Sequence, residues 1–381
     1  MRFARGLRRS ATLAAAGGLL LALCANRSAR GQTKLAPAPP PSVPKYRLSA
    51  GRGTPLNSAA IPNFGAVKCD SRGNVYLRLL LQNFVSFYTP VTEFSRDGSR
   101  RAAFSLSAAP RWVPGDIMDY AIGPNGRVYL LVDHLNKQRK TEDGILVFGQ
   151  DGDLRSTIRL QLGTPDVDRI GVFSTGDFLV LATKRAKQAQ PLIPGTPVHG
   201  KITAEHRAPV NPVAYLVGHD GRLLKTILPP EGLVLTRDHH AGPPLEISAT
   251  SGDTAQLVMS EYGHTAYLMF EKGVPVVYAI SSSGDVLRSF PIELPSGGFT
   301  PIMMTWANGL GLLLESAHVV NHGFPASQVR FSVINPQTGE RLDDYRVGPR
   351  LGTDLACFSR QHITFLTSPK GKLTLTDATI H

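Results

Sequence analysis

The chain has 381 residues, of which 42% are hydrophobic, and its 37 Gly and 29 Pro suit a fold with many turns. The formal net charge is +12, but residues 1–31 hold six Arg and no Asp or Glu, so the rest of the chain carries only +6. Lys and Arg do not cluster with aromatic residues, which argues against a nucleic-acid partner. Beyond residue 31 only Cys69 and Cys357 occur, which excludes a disulfide-rich framework and a cysteine-based zinc site.

The first 31 residues are typical of a secretory signal peptide. A basic start precedes an apolar stretch, residues 11–25, that is too short and too rich in small residues for a membrane anchor. Ala29-Arg30-Gly31 before Gln32 predicts a cleavage site, as does Ala22-Leu23-Cys24. We therefore expect a periplasmic or extracellular mature chain without a transmembrane domain. A lipid anchor at Cys24 is the alternative, although Leu23 stands where a lipoprotein signal has a small residue.

The remaining chain divides into a linker and one domain. Residues 32–44 are rich in Pro, which predicts an extended spacer without a core of its own. From residue 45 to residue 381 no window keeps a 3.6-residue apolar period, while short runs of β-branched and aromatic residues recur. We therefore assign 1–31 to the signal peptide, 32–44 to the linker and 45–381 to one all-β domain.

The domain repeats a unit of four strands and two tight turns, with about 50 residues between most corresponding turns. Gly, Asn and Asp suit such turns because hairpins need positive φ. The first turn, between the first two strands, reads in units one to six as Ser71-Arg72-Gly73, Pro124-Asn125-Gly126, Ser174-Thr175-Gly176, Ser251-Gly252, Ala307-Asn308-Gly309 and Ser359-Arg360-Gln361. The second turn, between the last two strands, reads in units one to five as Asp97-Gly98, Asp151-Gly152, Asp220-Gly221, Ser283-Gly284 and Thr338-Gly339.

Four-stranded sheets at this spacing predict a six-bladed β-propeller, in which the sheets, or blades, are arranged radially in a ring. The sixth unit ends with the chain at His381 and is one strand short. Residues 46–50 form an unassigned strand at the start of the domain. We expect this N-terminal strand to complete the last blade and close the ring. The alternative is that residues 45–50 continue the extended linker.

Two stretches carry the turn pattern most clearly, Val147-Phe148-Gly149-Gln150-Asp151-Gly152-Asp153-Leu154 and Gly123-Pro124-Asn125-Gly126-Arg127-Val128-Tyr129. In these motifs the domain resembles six-bladed propellers of the NHL-repeat, TolB-like and gluconolactonase-like group, over about residues 45–378. The resemblance implies the architecture. Propellers of this group serve as binding platforms, protein-interaction modules or hydrolases, so it does not select one function.

The strand order places the two kinds of connection on opposite faces of the ring. Both tight turns fall on the tight-turn face, whereas second-to-third-strand loops and links between units fall on the long-loop face. On a rigid scaffold, binding residues usually lie on long loops. We therefore expect a binding site among the insertions of the long-loop face, which are residues 133–143, 183–211, 229–246, 261–274 and 315–328. The alternative is that these loops merely tolerate insertion.

Five residues assigned to the long-loop face are candidates for binding a protein or a small ligand, namely His239, His240, His264, Lys184 and Arg185. The histidines, with His318 on the same face, can supply a metal ligand or a general base. Only one of two adjacent histidines can face a shared site, since strand neighbours point to opposite faces. The basic loop suits an acidic partner or a lipid surface. The alternative for both groups is a solvated loop.

Three residues with metal-binding oxygens, Asn63, Asp116 and Asp166, lie ten positions before the first-turn glycines of units one to three. They enter the first strand of each unit, at the mouth of the central channel. The gluconolactonase-like resemblance implies a divalent cation near that place, and Ca²⁺ needs several such oxygens. The pattern is incomplete, because the matching residues of units four to six are Gly242, Phe299 and Leu351, although Glu246 and Asp354 lie nearby. The alternative is that Asn and Asp cap turns here.

Catalytic motifs are missing from the sequence: there is no G-x-S-x-G elbow, H-E-x-x-H, P-loop or G-x-G-x-x-G. The sequence therefore favours an exported, monomeric propeller that binds its ligand without catalysis. The alternative is a metal-dependent hydrolase, similar to lactonases in the position of its site. Cys69 and Cys357 occupy matching places on neighbouring first strands. We expect two buried thiols, because such positions diverge towards the roughly 7 Å Cα limit for a disulfide. The alternative is a disulfide between them, which would suit an exported protein.

Overall fold

Strands make up nearly all regular structure of the protein. The computed structural model describes residues 44–58, 63–80, 89–136, 138, 140–163, 166–184, 209–227, 235–236, 255–272, 274–296, 299–318, 329–352 and 354–381. Within these ranges there are 25 strands, three short 3-10 helices and no α-helix. The prediction of an all-β fold is therefore confirmed for the described residues.

No helix among the described residues has the length and apolar character needed to cross a membrane.

Units one to three follow an N-terminal strand, β1 (Tyr46–Pro55). Unit one consists of β2 (Asn63–Cys69), β3 (Val75–Leu80), β4 (Val91–Phe94) and β5 (Arg100–Phe104). Two 3-10 helices, Leu106–Ala108 and Pro110–Trp112, lead to unit two, which consists of β6 (Gly115–Ile122), β7 (Val128–Leu135), β8 (Thr141–Phe148) and β9 (Leu154–Arg159). Unit three consists of β10 (Asp166–Val172), β11 (Phe178–Lys184), β12 (Pro209–Val217) and β13 (Leu223–Ile227), followed by β14 (Leu235–Thr236).

Units four to six complete the chain. Unit four consists of β15 (Ala255–Met259), β16 (Thr265–Lys272), β17 (Val274–Ser281) and β18 (Val286–Pro291). Unit five consists of β19 (Phe299–Ala307), β20 (Gly311–His318), β21 (Val329–Ile334) and β22 (Arg341–Val347). Unit six consists of β23 (Leu355–Phe358), β24 (Ile363–Thr367), the 3-10 helix Pro369–Gly371 and β25 (Thr374–Ile380).

The first turn of unit four lies at Gly263 and was predicted wrongly at Ser251-Gly252. Those two residues lie outside the described ranges, and β15 begins only after them. Gly263 has φ +66°, and its amide donates to Ser260 O over 2.9 Å to close the hairpin from β15 to β16. Gly263 stands between Tyr and His instead of Asn, Ser or Asp, so the composition of this turn did not identify it.

Two of the predicted insertions are therefore shorter than expected. The stretch 261–274 contains the first turn of unit four and all of β16, so it is not a long loop. The stretch 133–143 is mostly strand, because β7 continues to Leu135 and β8 begins at Thr141.

The strands form five sheets among the described residues, where six separate blades were expected. Units one to four each give one sheet with the strands in chain order, and β14 adds to the sheet of unit three by pairing with β12. Units five and six share an eight-stranded sheet in the order β19-β20-β21-β22-β1-β25-β24-β23. They are joined because β1 pairs antiparallel with β25 and parallel with β22. Residues 46–50 thus pair with the last unit and do not continue the linker.

The sheets have a propeller-like arrangement. The first strands of the six units contact one another in sequence, β2 with β6, then β10, β15, β19 and β23, and β23 contacts β2 again. Buried apolar side chains form a cluster between each unit and the next, including one between unit six and unit one around Leu77, Phe94 and Leu366. The hydrophobic core is therefore divided into layers between neighbouring sheets, as in stacked sheets that pack face to face.

Cys69 of β2 and Cys357 of β23 form a disulfide with their Cα atoms 5.6 Å apart. The expectation of two free thiols was wrong, because first strands of neighbouring units lie close enough for Cα atoms to stay within the usual 7 Å limit. The bridge joins residues separated by 288 positions in the chain and ties unit one to unit six.

Replacing both cysteines by Ala is expected to lower the free energy of unfolding by about 4 kcal/mol, since the bridge closes a very long loop. Thermal unfolding with and without a reductant measures the effect. The reductant should lower the midpoint of the natural chain and leave that of the Cys69→Ala/Cys357→Ala variant unchanged. Equal midpoints for the natural chain in both conditions would contradict the bridge.

Leu48 of β1 is fully buried and belongs to the cluster between units five and six. Leu48→Ala is therefore expected to cost about 3 kcal/mol of unfolding free energy, as for other buried leucines. Denaturant unfolding provides the measurement. Arg52→Ala, at an exposed position of the same strand, is the matched control and should change stability little. Similar small effects of both substitutions would mean that β1 is not part of the packed ring.

Candidate functional site

Asn63, Asp116 and Asp166 are each the first or second residue of their strand, in β2, β6 and β10 respectively. The side chains of Asn63 and Asp166 lie outside the described part of the structure. The corrected first turn of unit four moves the equivalent position from Gly242 to Asp253, which also lies outside the described residues. The oxygen-bearing pattern therefore extends over four units in sequence, and Asp116 is the member with a described side chain.

Asp116 forms an ion pair with Arg78 of the neighbouring unit. The Nη2 atom of Arg78 lies 2.8 Å from Asp116 Oδ1, and Arg78 Nη1 donates to Ile117 O over 2.7 Å. The Asp116 carboxylate also accepts the amide of Ile117. Its charge is thus compensated by the protein itself. Within the described residues no group of three His, Cys, Asp or Glu side chains is placed to hold a metal ion.

A second ion pair, between Lys68 and Asp119, links three first strands around the channel. Lys68 Nζ of β2 lies 2.8 Å from Asp119 Oδ1 of β6, and Asp119 Oδ2 accepts the amide of Ile170 of β10 over 3.0 Å. Asp119 is only 6% exposed, so this carboxylate needs both partners to offset its lost hydration. Lys68 Nζ also lies 4.8 Å from the ring centroid of Tyr120. These contacts hold units one, two and three together, and the sequence analysis missed them.

His264 lies on the tight-turn face and was placed wrongly on the long-loop face. It follows Gly263 in the first turn of unit four, and its exposed ring lies with Nδ1 3.0 Å from Ser174 Oγ. Ser174 belongs to the first turn of unit three and donates its amide to Gly263 O over 2.9 Å. His264 therefore bridges two neighbouring tight turns and does not share a face with His239 and His240.

The other binding candidates lie at the edge of the described structure or outside it. His239, His240 and Arg185 lie outside the described residues. Lys184 is the last residue of β11, where its backbone pairs with Asn211, and its side chain is not among those described. The insertion between β11 and β12 thus connects second and third strands, on the long-loop face, as do residues 319–328 after His318. Residues 209–210, at the end of the first of the two longest insertions, pair with residues 235–236, which lie within the second.

Glu315 and Asp354 form an acidic pair that the sequence analysis did not identify. Glu315 of β20 is 3% exposed, and Asp354 precedes β23 in unit six. Burial raises the pKa of the Glu315 carboxyl to about 8, and the negative charge of Asp354 adds to the rise. The surrounding protein also raises the pKa of Asp354, whose side chain still reaches solvent. The signal in the sequence was a single acidic residue inside the apolar run of β20.

A cavity of about 660 Å³ opens beside Asp354. Its walls come from Gly51 and Gly53 of β1, the link from unit five to unit six with Arg350, and the β24–β25 connection. Hydroxyl groups line one side, and Thr367 Oγ1 lies 2.8 Å from Thr376 Oγ1. By strand order, both connections belong to the long-loop face.

The fold and these contacts define an all-β, propeller-like protein with charged side chains around its axis. No family model matches the chain, and no curated protein matches it either. Among solved structures, the chain is similar to a protein of unknown function from Dyadobacter fermentans DSM 18053, with 9% identity and a TM-score of 0.48 over 88% of this chain and 99% of that one.

It is also similar to a protein of unknown function from Bacteroides caccae, with 13% identity and a TM-score of 0.42 over 76% of this chain and 84% of that one. An acylaminoacyl peptidase from Pyrococcus horikoshii is 10% identical with a TM-score of 0.42, over 83% of this chain and 44% of that one. This chain therefore spans less than half the length of that peptidase. At these values no property of the three proteins transfers to this chain.

The Glu315 carboxyl is expected to make the protein less stable as the pH rises. In the unfolded chain it ionises near its ordinary pKa of 4.5, and in the folded chain near 8. Between these values the folded state binds more protons, so stability falls as the pH rises, by roughly 1.4 kcal/mol for each pH unit. Glu315→Gln should flatten this fall and be more stable than the natural chain at pH 9 in thermal unfolding.

Glu340→Gln is the matched control, since Glu340 is exposed in the second turn of the same unit. Its unfolding midpoint should follow the natural chain across the pH range. Parallel curves for Glu315→Gln and the natural chain would show that Glu315 is not titrating in a buried place.

Proposed function

We propose that this protein is an exported, six-bladed β-propeller that binds a ligand or partner on its long-loop face and does not catalyse a reaction. The observation that carries the choice of binding over hydrolysis is the Arg78–Asp116 ion pair. A carboxylate already neutralised by a guanidinium at 2.8 Å is a poor ligand for a divalent cation, because the cation would have to displace or tolerate a fixed positive charge.

The count of six blades treats the eight-stranded sheet as two blades joined by β1. In this interpretation β1 is the fourth strand of unit six. Asn57, just after β1, donates its amide to Gly98 O over 2.9 Å, and Gln161, just after β9, donates to Gly221 O over 3.0 Å. β1 therefore meets the second turn of unit one as the fourth strand of unit two meets that of unit three. This repetition supports the count of six blades, which is the architecture of the NHL-repeat, TolB-like and gluconolactonase-like group.

Export is supported by two independent features. Residues 1–31 have the basic and apolar parts of a signal peptide. The disulfide between Cys69 and Cys357 is a bond that persists in oxidising compartments and is rare in the cytosol. We place the mature protein in the periplasm or outside the cell, with a lipid anchor at Cys24 as the alternative.

The long-loop face is the place for the partner because the large insertions lie there. The insertion from 183 to 211 carries Lys184 and Arg185, and that from 229 to 246 carries His239 and His240. Because the start of β12, at the end of the first insertion, pairs with β14, within the second, we assign both insertions to one region of the face. His264 is excluded from this proposed site by its place among the tight turns.

The second candidate function, a metal-dependent hydrolase, is favoured by one observation. Asp253 extends the series Asn63, Asp116 and Asp166 to four units. The described part of the site does not fit a metal ion, since Asp116 is paired with Arg78.

The test is the metal content and hydrolytic activity of the protein isolated from the cell envelope fraction. We expect an N-terminus near Gln32, less than stoichiometric divalent metal, and no hydrolysis of aryl esters or lactones above buffer. The Asp116→Ala/Asp166→Ala variant should contain the same trace of metal as the natural chain. Stoichiometric Ca²⁺ that this variant loses, together with lactone hydrolysis, would overturn the proposal in favour of the hydrolase.

A further inference from the structure

The cavity beside Asp354 is lined by one acidic and one basic side chain that do not form an ion pair with each other. Asp354 and Arg350 both line it, and neither side chain has an ion pair or a hydrogen bond to another described residue. Both reach solvent, so a ligand can meet them directly. A carboxyl and a guanidinium held apart in one cavity are complementary to a molecule that carries the opposite charges at its two ends.

We propose that this cavity binds a small zwitterion with an ammonium and a carboxylate group, an amino acid or a short peptide. The ligand's ammonium meets Asp354, and its carboxylate meets the forked donors of Arg350. The volume of about 660 Å³ lies in the ordinary range of small-molecule sites. This inference deepens the proposed function, on which it rests, by naming the ligand class of one place on the long-loop face.

Glu315 explains why a cationic group is favoured next to Asp354. It is 97% hidden from solvent and close enough for the two carboxyls to repel when ionised. No cation among the described residues pairs with either of them. An ammonium placed at Asp354 offsets the repulsion between the two carboxylates. The buried acid therefore acts through Asp354 and does not itself contact the ligand.

The hydroxyl groups that line the cavity add hydrogen-bond donors and acceptors to the two charged groups. Thr367 and Thr376 share a hydrogen bond of 2.8 Å, and Ser368 lies beside them. A peptide bond or a polar side chain of the ligand can hydrogen-bond there. Gly51 and Gly53 line the cavity where β1 lies close to β25, and a Cβ atom at either position would come within 2.9 Å of a β25 atom.

The experiment is isothermal titration of the exported chain with L-alanine and with L-alanyl-L-alanine. Two analogues that lack one charge, N-acetyl-L-alanine and L-alaninamide, are titrated beside them. We expect at least one zwitterion to bind, and the analogues to bind about tenfold more weakly or worse, because each lost charge-assisted contact is worth at least 1.4 kcal/mol, or a factor of ten. Binding of L-alanine identifies an amino-acid site, and binding of the dipeptide alone identifies a peptide site.

The variants Asp354→Asn and Arg350→Gln should each weaken binding of the zwitterion about tenfold or more. Asp153→Asn and Arg360→Gln, exposed residues on the tight-turn face, are the matched controls and should bind as the natural chain does. Because Arg350 is exposed, its variant keeps the test valid if Asp354→Asn fails to fold.

Three outcomes would overturn the ligand class: no binding of either zwitterion at about 10 mM, equal binding of a singly charged analogue, or equal loss in the controls. Such a result in a metal-free, inactive protein leaves the binding propeller standing. Stoichiometric metal with lactone hydrolysis would overturn the propeller's proposed function itself, so the two failures are distinguishable.

Discussion

Closure of the ring by β1 is the constraint on which the rest of the structure depends. Both edges of β1 are hydrogen-bonded, to β25 on one side and to β22 on the other, so the N-terminal strand meets the last two units at once. Bringing the two ends of so long a chain together costs loop-closure entropy. Burial of Leu48 between units five and six offsets part of that cost. The apolar cluster and the Cys69–Cys357 disulfide, which both join units six and one, offset more of it.

The buried ionisable groups of the ring are of two kinds, those with a partner of opposite charge and those without one among the described residues. Lys68, Asp119 and the amide of Ile170 satisfy one another across three first strands, so this buried charge is a structural link between units. Glu315 has no such partner among the residues that the structure describes, and its pKa is raised to about 8. Perturbed and unpaired ionisable groups concentrate at functional sites because structure alone does not require them. That contrast distinguishes the charged contacts among the first strands, which link the units, from the acidic residues near the cavity at Asp354.

The repeat was predictable from the sequence because Gly with positive φ is a local requirement of each tight turn, as at Gly73 and Gly126. The turn at Gly263 was missed because its neighbours, Tyr262 and His264, are not residue types that favour turns. The pairing of residues 46–50 with the last unit followed from counting strands. Partners such as Arg78 for Asp116, and the 5.6 Å between the Cα atoms of Cys69 and Cys357, depend on how neighbouring units approach. No local pattern encodes that approach.

The pairing of β1 with β25, which closes the ring, also explains where the cavity lies. Unit six is built from both ends of the chain, and β1 departs from regular pairing between Ala50 and Gly53 as it passes β25. Two glycines let β1 lie close to β25 at that irregularity, and the cavity opens there beside the β24–β25 connection, Arg350 and Asp354. A ligand in this space touches β1 and unit six together. Since it would bind only when those strands are paired, its binding free energy would add to the stability of ring closure.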